Sequence, residues 1–460
     1  MYINDDIAAL ATPPGEGGIA IIRLSGSGVI EKIDRIFKPY NAGVDIKKKA
    51  GYTLTLGWIV DEKGEYIDEV LISIMRAPRS YTGEDVVEIN CHGGILAARK
   101  CLEEVLKNGI RLAEPGEFTR RAFISGRIDM SQAEAVIEVI RAKTEKGLKL
   151  ALKQLKGENK ADFAYLEDEL TSINAAVEAS IDFPDEVGEP DYDEMQARLE
   201  KVKKALEKFI EGAKMGDIYR EGVSIAIVGK PNVGKSSLLN ALLRKEKAIV
   251  TDIPGTTRDV IEDYINIEGI PVKIMDTAGI RETEDIVERI GVEKSSQAIE
   301  EADLVIFLLD VAAGITEEDM NIYRRLRKDN LIVLVNKEDL EEKNISEEDL
   351  ARLFKGVKVI RGSVKEKTGL DELKKSIKDM IIEGRGSYEG EEMIFNIRQK
   401  IALDKAREHL VSALEGLGKV PLDCLAVDIR GALEALGEIT GKNIKEEVMD
   451  RIFRDFCIGK

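Results

Sequence analysis

The chain reads as a multidomain protein that mixes α+β and α/β architecture. An α+β N-terminal unit precedes an all-helical unit, and an α/β unit, a mostly parallel sheet with helices on both faces, is inserted into the helical one. Three observations predict this. From residue 19 to about 117, short β-rich runs alternate with helical stretches. From Ser131 onward, and again after Gly384-Arg385-Gly386, long charged segments rich in Ala, Leu, Glu and Lys repeat apolar residues at helical spacing, as helices packed on helices require. Between those blocks, strand-like and helix-like runs alternate as they do in a covered parallel sheet. A length of 460 residues agrees with about three domains.

Taken in order, residues 1–118 form the first unit, with strands expected at 19–24, 53–60, 70–75 and 86–91 and a helix at 95–107. Residues 119–215 form the first part of the helical unit, interrupted at Ile181-Asp182-Phe183-Pro184-Asp185. Residues 216–383 form the insert and residues 384–460 the second helical part. Either helical block alone has few partners for its apolar stripe, so the two make one discontinuous domain. The ends of an inserted domain lie close together, which makes such an insertion tolerable.

The most specific motif lies in mid-chain. Gly229-Lys230-Pro231-Asn232-Val233-Gly234-Lys235-Ser236 is a complete G-x-x-x-x-G-K-[ST] loop between a strand pattern at 223–228 and a helix pattern opening at Ser237. Backbone N–H groups of such a loop converge on phosphates at a helix N-terminus, Lys235 reaches the outer ones and the Ser236 hydroxyl ligates Mg²⁺. Asp276-Thr277-Ala278-Gly279 closes a second strand pattern at 272–275, where a carboxylate holds Mg²⁺ through water and a glycine N–H meets a γ-phosphate. A third apolar run, 331–335, ends in Asn336-Lys337-Glu338-Asp339, an N-K-x-D pattern. The Asp339 carboxylate accepts from both N1–H and the exocyclic amine of guanine, whereas adenine would leave it unpaired, so GTP is expected over ATP. A further strand at 357–360 leads into Ser363-Val364-Lys365, which resembles the S-A-K guanine contact of small GTPases. Any one motif alone could be an ordinary turn, but three in the correct order at successive strand ends are specific for a P-loop GTPase domain.

Composition narrows the classes. With a formal net charge of −18 and two His, no broad basic surface points to constitutive nucleic-acid binding, although a local basic pocket or a shared RNA contact stays open. The four cysteines, Cys91, Cys101, Cys424 and Cys457, lack metal-type spacing, so the first three read as buried or incidental thiols in a reducing compartment. The N-terminus has no signal-peptide pattern and no apolar run approaches the ~18 residues of a membrane span, so a cytoplasmic protein with no membrane association is expected.

Those GTPase motifs, with Gly255-Thr256-Thr257-Arg258-Asp259 and the terminal Cys457-Ile458-Gly459-Lys460, resemble the MnmE (TrmE) family of tRNA-modification GTPases. Thr12-Pro13-Pro14-Gly15, Ile22-Arg23-Leu24-Ser25-Gly26, Tyr81-Thr82-Gly83-Glu84-Asp85, His92-Gly93-Gly94 and 115–123 resemble that family's N-terminal signatures, and 181–186 its helical marker. The resemblance runs end to end. It implies an enzyme that, with the flavoprotein MnmG in a heterotetramer or larger complex, installs an aminomethyl-type group (carboxymethylaminomethyl) at C5 of the wobble uridine of certain tRNAs. FAD would enter only through that partner, and tRNA contact through the complex. The first unit would be a folate-binding-like domain that takes a tetrahydrofolate derivative (5-formyl or 5,10-methylene) and mediates a homodimer. By the same resemblance the folate contacts fall on Arg23, Glu88, Arg127 and Lys460. A carboxylate such as Glu88 suits the N–H groups of a pterin, and Arg and Lys suit its glutamate tail.

The resemblance also fills two gaps in the hydrolytic machinery. Ile280 stands where Ras-type GTPases place a water-orienting Gln, and Glu288 is implied as its replacement. In place of an arginine finger, the family uses K⁺ where two GTPase domains meet. The corresponding oxygens belong to Asn232, Thr251, Ile253 and Thr256, a neutral cage suited to a monovalent ion. Thr257 would join Ser236 on Mg²⁺. The nucleotide contacts thus comprise Asn232, Val233, Gly234, Lys235, Ser236, Ser237, the loop Thr251, Asp252, Ile253, Pro254, Gly255, Thr256, Thr257, then Asp276, Thr277, Ala278, Gly279, Asn336, Lys337, Asp339, Ser363 and Val364.

The tail formally matches a C-a-a-X box, but Lys is not a usual last residue and the acidic chain lacks a polybasic supplement, so prenylation is rejected. Ile444, Val448 and Ile452, with Phe453 and Phe456, predict a buried stripe that presents Cys457 at a helix end. If the tail reaches the folate site, Cys457 is a candidate nucleophile or proton donor; otherwise it is a small hydrophobe closing the last turn. Two rival functions stay in view. A ribosome-assembly GTPase would share the P-loop set but normally adds a basic RNA-binding domain. A folate-dependent aminomethyltransferase would account for the first unit and leave the insert unexplained.

Overall fold

The computed structural model describes residues 5–246, 264–275, 299–384 and 393–460. Two sheets and a helical layer organise them. The first sheet contains β1 (Ile7–Leu10), β2 (Ile19–Ser25), β3 (Phe37–Pro39), β4 (Thr53–Val60), β5 (Tyr66–Met75), β6 (Val86–His92) and β7 (Arg111–Leu112), in the order β3-β4-β5-β6-β2-β1-β7. Its pairings are antiparallel apart from the short β1–β7 ladder. The helices Val29–Ile36 and Ile95–Lys107 cover one face with Ile30, Ile33, Ala98, Cys101 and Val105, closing a core over Ile22, Leu24, Ile72, Val87 and Ile89. Strands 53–60 and 86–91 fall where the apolar patterning predicts them. The pattern misses β1, β3 and β7, which are too short to alternate visibly.

The second sheet contains β8 (Val223–Val228), β9 (Tyr264–Ile267), β10 (Ile270–Met275), β11 (Leu304–Asp310), β12 (Leu331–Asn336) and β13 (Lys358–Arg361), in the order β13-β12-β11-β8-β10-β9. All its pairings are parallel except the edge pair β9–β10. The apolar cores on its two faces account for the near-continuous hydrophobic runs of β11 and β12, which are inaccessible to solvent along almost their whole length. Strand β11, which the motif spacing passes over, lies between β8 and β12 and so holds the phosphate loop and the guanine loop at one sheet end.

Helices from both sides of the insert share one core. Phe163, Leu170, Leu199 and Phe209 from the helices Lys160–Asp182 and Tyr192–Arg220 pack with Phe395, just before the helix Ile397–Gly416, and with Leu403, Leu410, Leu425 and Leu436 from that helix and Leu422–Thr440. Phe163 stacks on Phe209 with centroids 4.7 Å apart, and Phe395 meets both edge-on. A partly buried ion pair adds a polar tie: Arg398 Nε and Nη2 donate to the two Glu134 carboxylate oxygens at 2.9 and 2.8 Å, and Gln399 Nε2 donates to Glu134 at 2.8 Å.

Boundaries differ in detail from the expected ones. The helix Glu117–Ile124 straddles residue 118, with Phe118 packed on Ile7 and Ala9 while Ala122 packs with Met130 and Phe453. The helix Tyr192–Arg220 continues past residue 215, because Met215, Ile218 and Tyr219 belong to the core under the second sheet. In the last helix, Glu446–Arg454, Phe453 and the following Phe456 are buried as expected, but Val448 is exposed. Val448 faces a cavity of about 1080 Å³ bordered by Arg141, Arg220 and Arg398, and Ile444, Met449 and Ile452 supply the apolar contacts instead. Among the described residues no helix is long and apolar enough to cross a membrane.

Candidate nucleotide and tail sites

At the end of β8 the chain must turn sharply to meet the helix Lys235–Glu246. Gly229 carries φ +153°, and a Cβ there would lie 2.6 Å from the Leu308 carbonyl oxygen of β11. Gly234 carries φ +108°, and its Cβ would lie 2.4 Å from Asn336 Nδ2. Both positions therefore demand glycine. Asn232 adopts φ +62°, a left-handed conformation that Asn tolerates better than most residues, and its side chain is exposed. Lys235 Nζ donates to the carbonyl oxygens of Gly229 and Lys230, both at 2.7 Å, so its ammonium group lies across the loop. Burial holds it below the ordinary lysine range, and phosphate oxygens would shift it back upward. Ser236 and Ser237 are exposed at the helix start, where Ser236 is free to offer its hydroxyl.

The guanine end is built by β12 and the turn after β13. Asn336 is 3 % exposed; its Nδ2 donates to Val233 O at 2.8 Å and its Oδ1 accepts from Val364 N–H at 3.0 Å. One side chain thus clamps the phosphate loop to the guanine loop. Lys337 Nζ pairs with Asp310 at 2.6 Å, which aligns its stem along the end of β11. Asp339 accepts from Ser363 Oγ at 2.6 Å and lies 3.5 Å from Lys365 Nζ. The Ser363 hydrogen bond, chiefly, holds the carboxyl below the usual range, so it is ionised and acceptor-only, as a guanine contact needs. Gly234, Ser237, Asn336, Lys337, Asp339 and Val364 border a cavity of about 660 Å³. The expected residues Thr251, Asp252, Ile253, Pro254, Gly255, Thr256, Thr257, Asp276, Thr277, Ala278, Gly279 and Glu288 lie outside the described residues.

A second constellation forms far away in sequence. Arg23 on β2 and Glu88 on β6 are register partners, joined by Nε–Oε1 at 2.9 Å. Arg23 Nη1 also donates to Gly459 O at 3.2 Å, and Phe118 N–H donates to Lys460 O at 3.2 Å. The tail is therefore laid against the first sheet. Two glycines permit it: Gly116 (φ +69°) and Gly459 (φ +89°) approach Phe453 O and Leu10 O so closely that a Cβ would sit 2.5 and 2.6 Å away. Burial, and then the Arg23 charge, hold Lys460 below the ordinary lysine range against the pull of Cys457 and Glu88. Arg127 donates to Tyr81 O at 2.9 Å, and the Tyr81 ring has Arg127 and Arg23 guanidinium carbons 5.0 and 5.4 Å from its centroid. All four residues expected to contact folate, Arg23, Glu88, Arg127 and Lys460, thus gather around Tyr81 and the tail, with Cys457 exposed beside them. Residue-by-residue reading missed Tyr81; its signal was the Tyr81-Thr82-Gly83-Glu84-Asp85 motif, which carried no assigned role.

An ion-pair network centred on the buried Arg121 and Glu117 holds the platform. Arg121 donates to Asp5 Oδ1 at 2.8 Å and to Glu117 at 3.0 Å, and lies 3.1 Å from Glu84. Arg111 forks onto Glu117 and reaches Asp5. Burial alone would raise the Glu117 carboxyl, but Arg111, the Glu114 N–H and Arg121 outweigh it and hold the group ionised. Glu117 also fixes the start of the helix that receives the tail.

Comparison with known proteins finds full-length relatives. A family description for the "MnmE helical domain" matches residues 130–457, and one for the "GTP-binding protein TrmE N-terminus" matches residues 6–127. A protein of Syntrophomonas wolfei called "tRNA modification GTPase MnmE" is 65 % identical over 458 residues, covering 100 % of both chains. Proteins with the same description from Alkaliphilus oremlandii and Carboxydothermus hydrogenoformans are 47 % and 49 % identical, again over 100 % of both chains.

Proposed function

Since the chain belongs to the MnmE family of tRNA modification GTPases, a GTP hydrolase serving tRNA modification, we propose that it works with a flavoprotein partner to install a carboxymethylaminomethyl-type group at C5 of the wobble uridine. The supporting observation is the lodging of the C-terminal tail beside Arg23 and Glu88, which brings Cys457 and Lys460 to the first domain. The residues there fit a folate. Glu88 offers a carboxylate for ring N–H groups, Tyr81 an aromatic face, and Arg127 and Lys460 cations for the glutamate tail. A bound tetrahydrofolate would supply the one-carbon unit. The chain's part is to orient it, with the exposed Cys457 of the tail as candidate nucleophile or proton donor.

At the nucleotide site, Lys235 and the loop amides bind phosphates, Asp339 and Val364 select guanine, and Ser236 with Thr257 would hold Mg²⁺. The exposed Asn232 side chain fits an ion shared between two copies, and Thr251, Ile253 and Thr256 would complete a K⁺ cage. Glu288 would orient the attacking water. Pairing of two copies has support at the first sheet, where Leu54, Leu56 and Leu71 are 63 %, 44 % and 42 % exposed and Leu56 pairs with Leu71 across β4–β5. An apolar face of this kind suits a homodimer in a cytoplasmic enzyme. Hydrolysis is the test. GTP turnover should be stimulated by K⁺ and far less by Na⁺, and Glu288→Ala should keep GTP binding while losing turnover. Equal rates in both salts would remove the cation, and normal turnover in the variant would remove Glu288.

A further inference from the structure

Cys91 and Cys101 carry no metal-type spacing, yet the fold brings them together with Asp68. Cys91 lies on β6, Cys101 on the helix Ile95–Lys107 and Asp68 on β5. Their two Sγ atoms and a carboxylate oxygen all lie within 4.8 Å of one another. Both thiols are buried, at 3 % and 0 % exposure, and the Asp68 side chain is 10 % exposed. Three ligand atoms at tetrahedral positions around an ion with Zn–S of ~2.3 Å would be separated by about 3.8 Å, so modest closure completes the geometry. Asp68 is also oriented in advance. Its Oδ2 accepts from His92 N–H at 2.8 Å and its Oδ1 meets His92 Nδ1 at 2.6 Å. Each carboxylate oxygen keeps a further lone pair, and hydrogen bonds of this kind are what normally aim a metal-binding carboxylate.

We propose that Asp68, Cys91 and Cys101 form a binding site for a thiophilic divalent cation of the Zn²⁺ class. Two thiolates with one carboxylate favour such an ion over Mg²⁺ or Ca²⁺, which prefer all-oxygen shells. Three protein ligands leave a fourth position for water on the side where Asp68 reaches solvent. The ion would tie β5 and β6 to the helix that covers them, giving the His92-Gly93-Gly94 segment a role separate from nucleotide and folate.

Spectroscopy on the full-length chain, reduced and stripped of metal by chelator, decides it. One equivalent of Co²⁺ should produce a near-ultraviolet sulfur-to-cobalt charge-transfer band, and Zn²⁺ should abolish that band and raise the thermal midpoint. Cys101→Ala keeps a small apolar group in the core and Cys91→Ala likewise; each should lose most of the band and the thermal shift. Asp68→Asn, which leaves both thiols in place, should weaken Zn²⁺ binding at least tenfold. Three results overturn the site: no band in the wild type, an equal band in Cys91→Ala/Cys101→Ala that assigns it to Cys424 or Cys457, or a Cys91–Cys101 disulfide whose reduction restores no metal uptake.

Discussion

Asp339 shows how much specificity one side chain can carry. Its carboxylate is fixed by Ser363 and kept ionised, a state that suits a base offering two donors over one offering an acceptor. Replacing it with Asn puts an amide N–H₂ where an acceptor is needed. The loss of a charge-assisted hydrogen bond, about 1.5–3 kcal/mol, corresponds to a roughly 10- to 100-fold weaker affinity for GTP. Affinity for a xanthine nucleotide, which carries a carbonyl in place of the exocyclic amine, should rise in the same variant. Fluorescent-nucleotide titration measures both, and an unchanged preference for GTP would show that Asp339 does not read the base. Asp339 and Lys235 were legible in the sequence because their chemistry is written in short motifs. Asn336 was legible as a motif member only; its clamp between Val233 and Val364 depends on two loops 131 residues apart in sequence meeting in space, which no local pattern carries.

Among the elements, the long helix Tyr192–Arg220 carries the most structural consequence. It starts in the helical core at Met195 and ends in the core of the nucleotide domain at Tyr219, so one continuous element joins the two cores. The returning chain crosses it closely: Met393 N–H donates to Gly212 O at 3.1 Å, and a Cβ on Gly216 would lie 1.7 Å from Met393 O. On an exposed helix Gly→Ala stabilises by up to ~1 kcal/mol. At Gly216 the sign should reverse, with a loss of about 3 kcal/mol from overpacking, read as a lower thermal midpoint of the full chain. A Gly216→Ala protein as stable as its parent would mean that the returning chain at Met393 does not lie on this helix. The periodic pattern foretold the helix but not its far end, since apolar spacing continues unbroken from one core to the next. Strand β11 was missed for a related reason: its apolar run ends in Asp310, which belongs to none of the nucleotide motifs.

For the whole molecule, the fold shows how one chain carries two candidate sites on different domains. An insert whose ends sit on a shared helix leaves the flanking helices continuous in space, and those helices deliver the tail to the first sheet beside Arg23. The sequence showed the three-part architecture because each part has its own period. It did not show the tail's destination, since Gly116 and Gly459 matter only through the carbonyls they approach. The account's central claim is that both sites serve one modification of tRNA. Nucleoside analysis of tRNA from cells lacking this protein tests it most directly. Wobble-uridine modification should disappear, return with the wild-type chain, and stay absent with Glu288→Ala or Cys457→Ser. Intact wobble modification alongside defective ribosomal subunits would contradict the account and assign the GTPase to ribosome assembly.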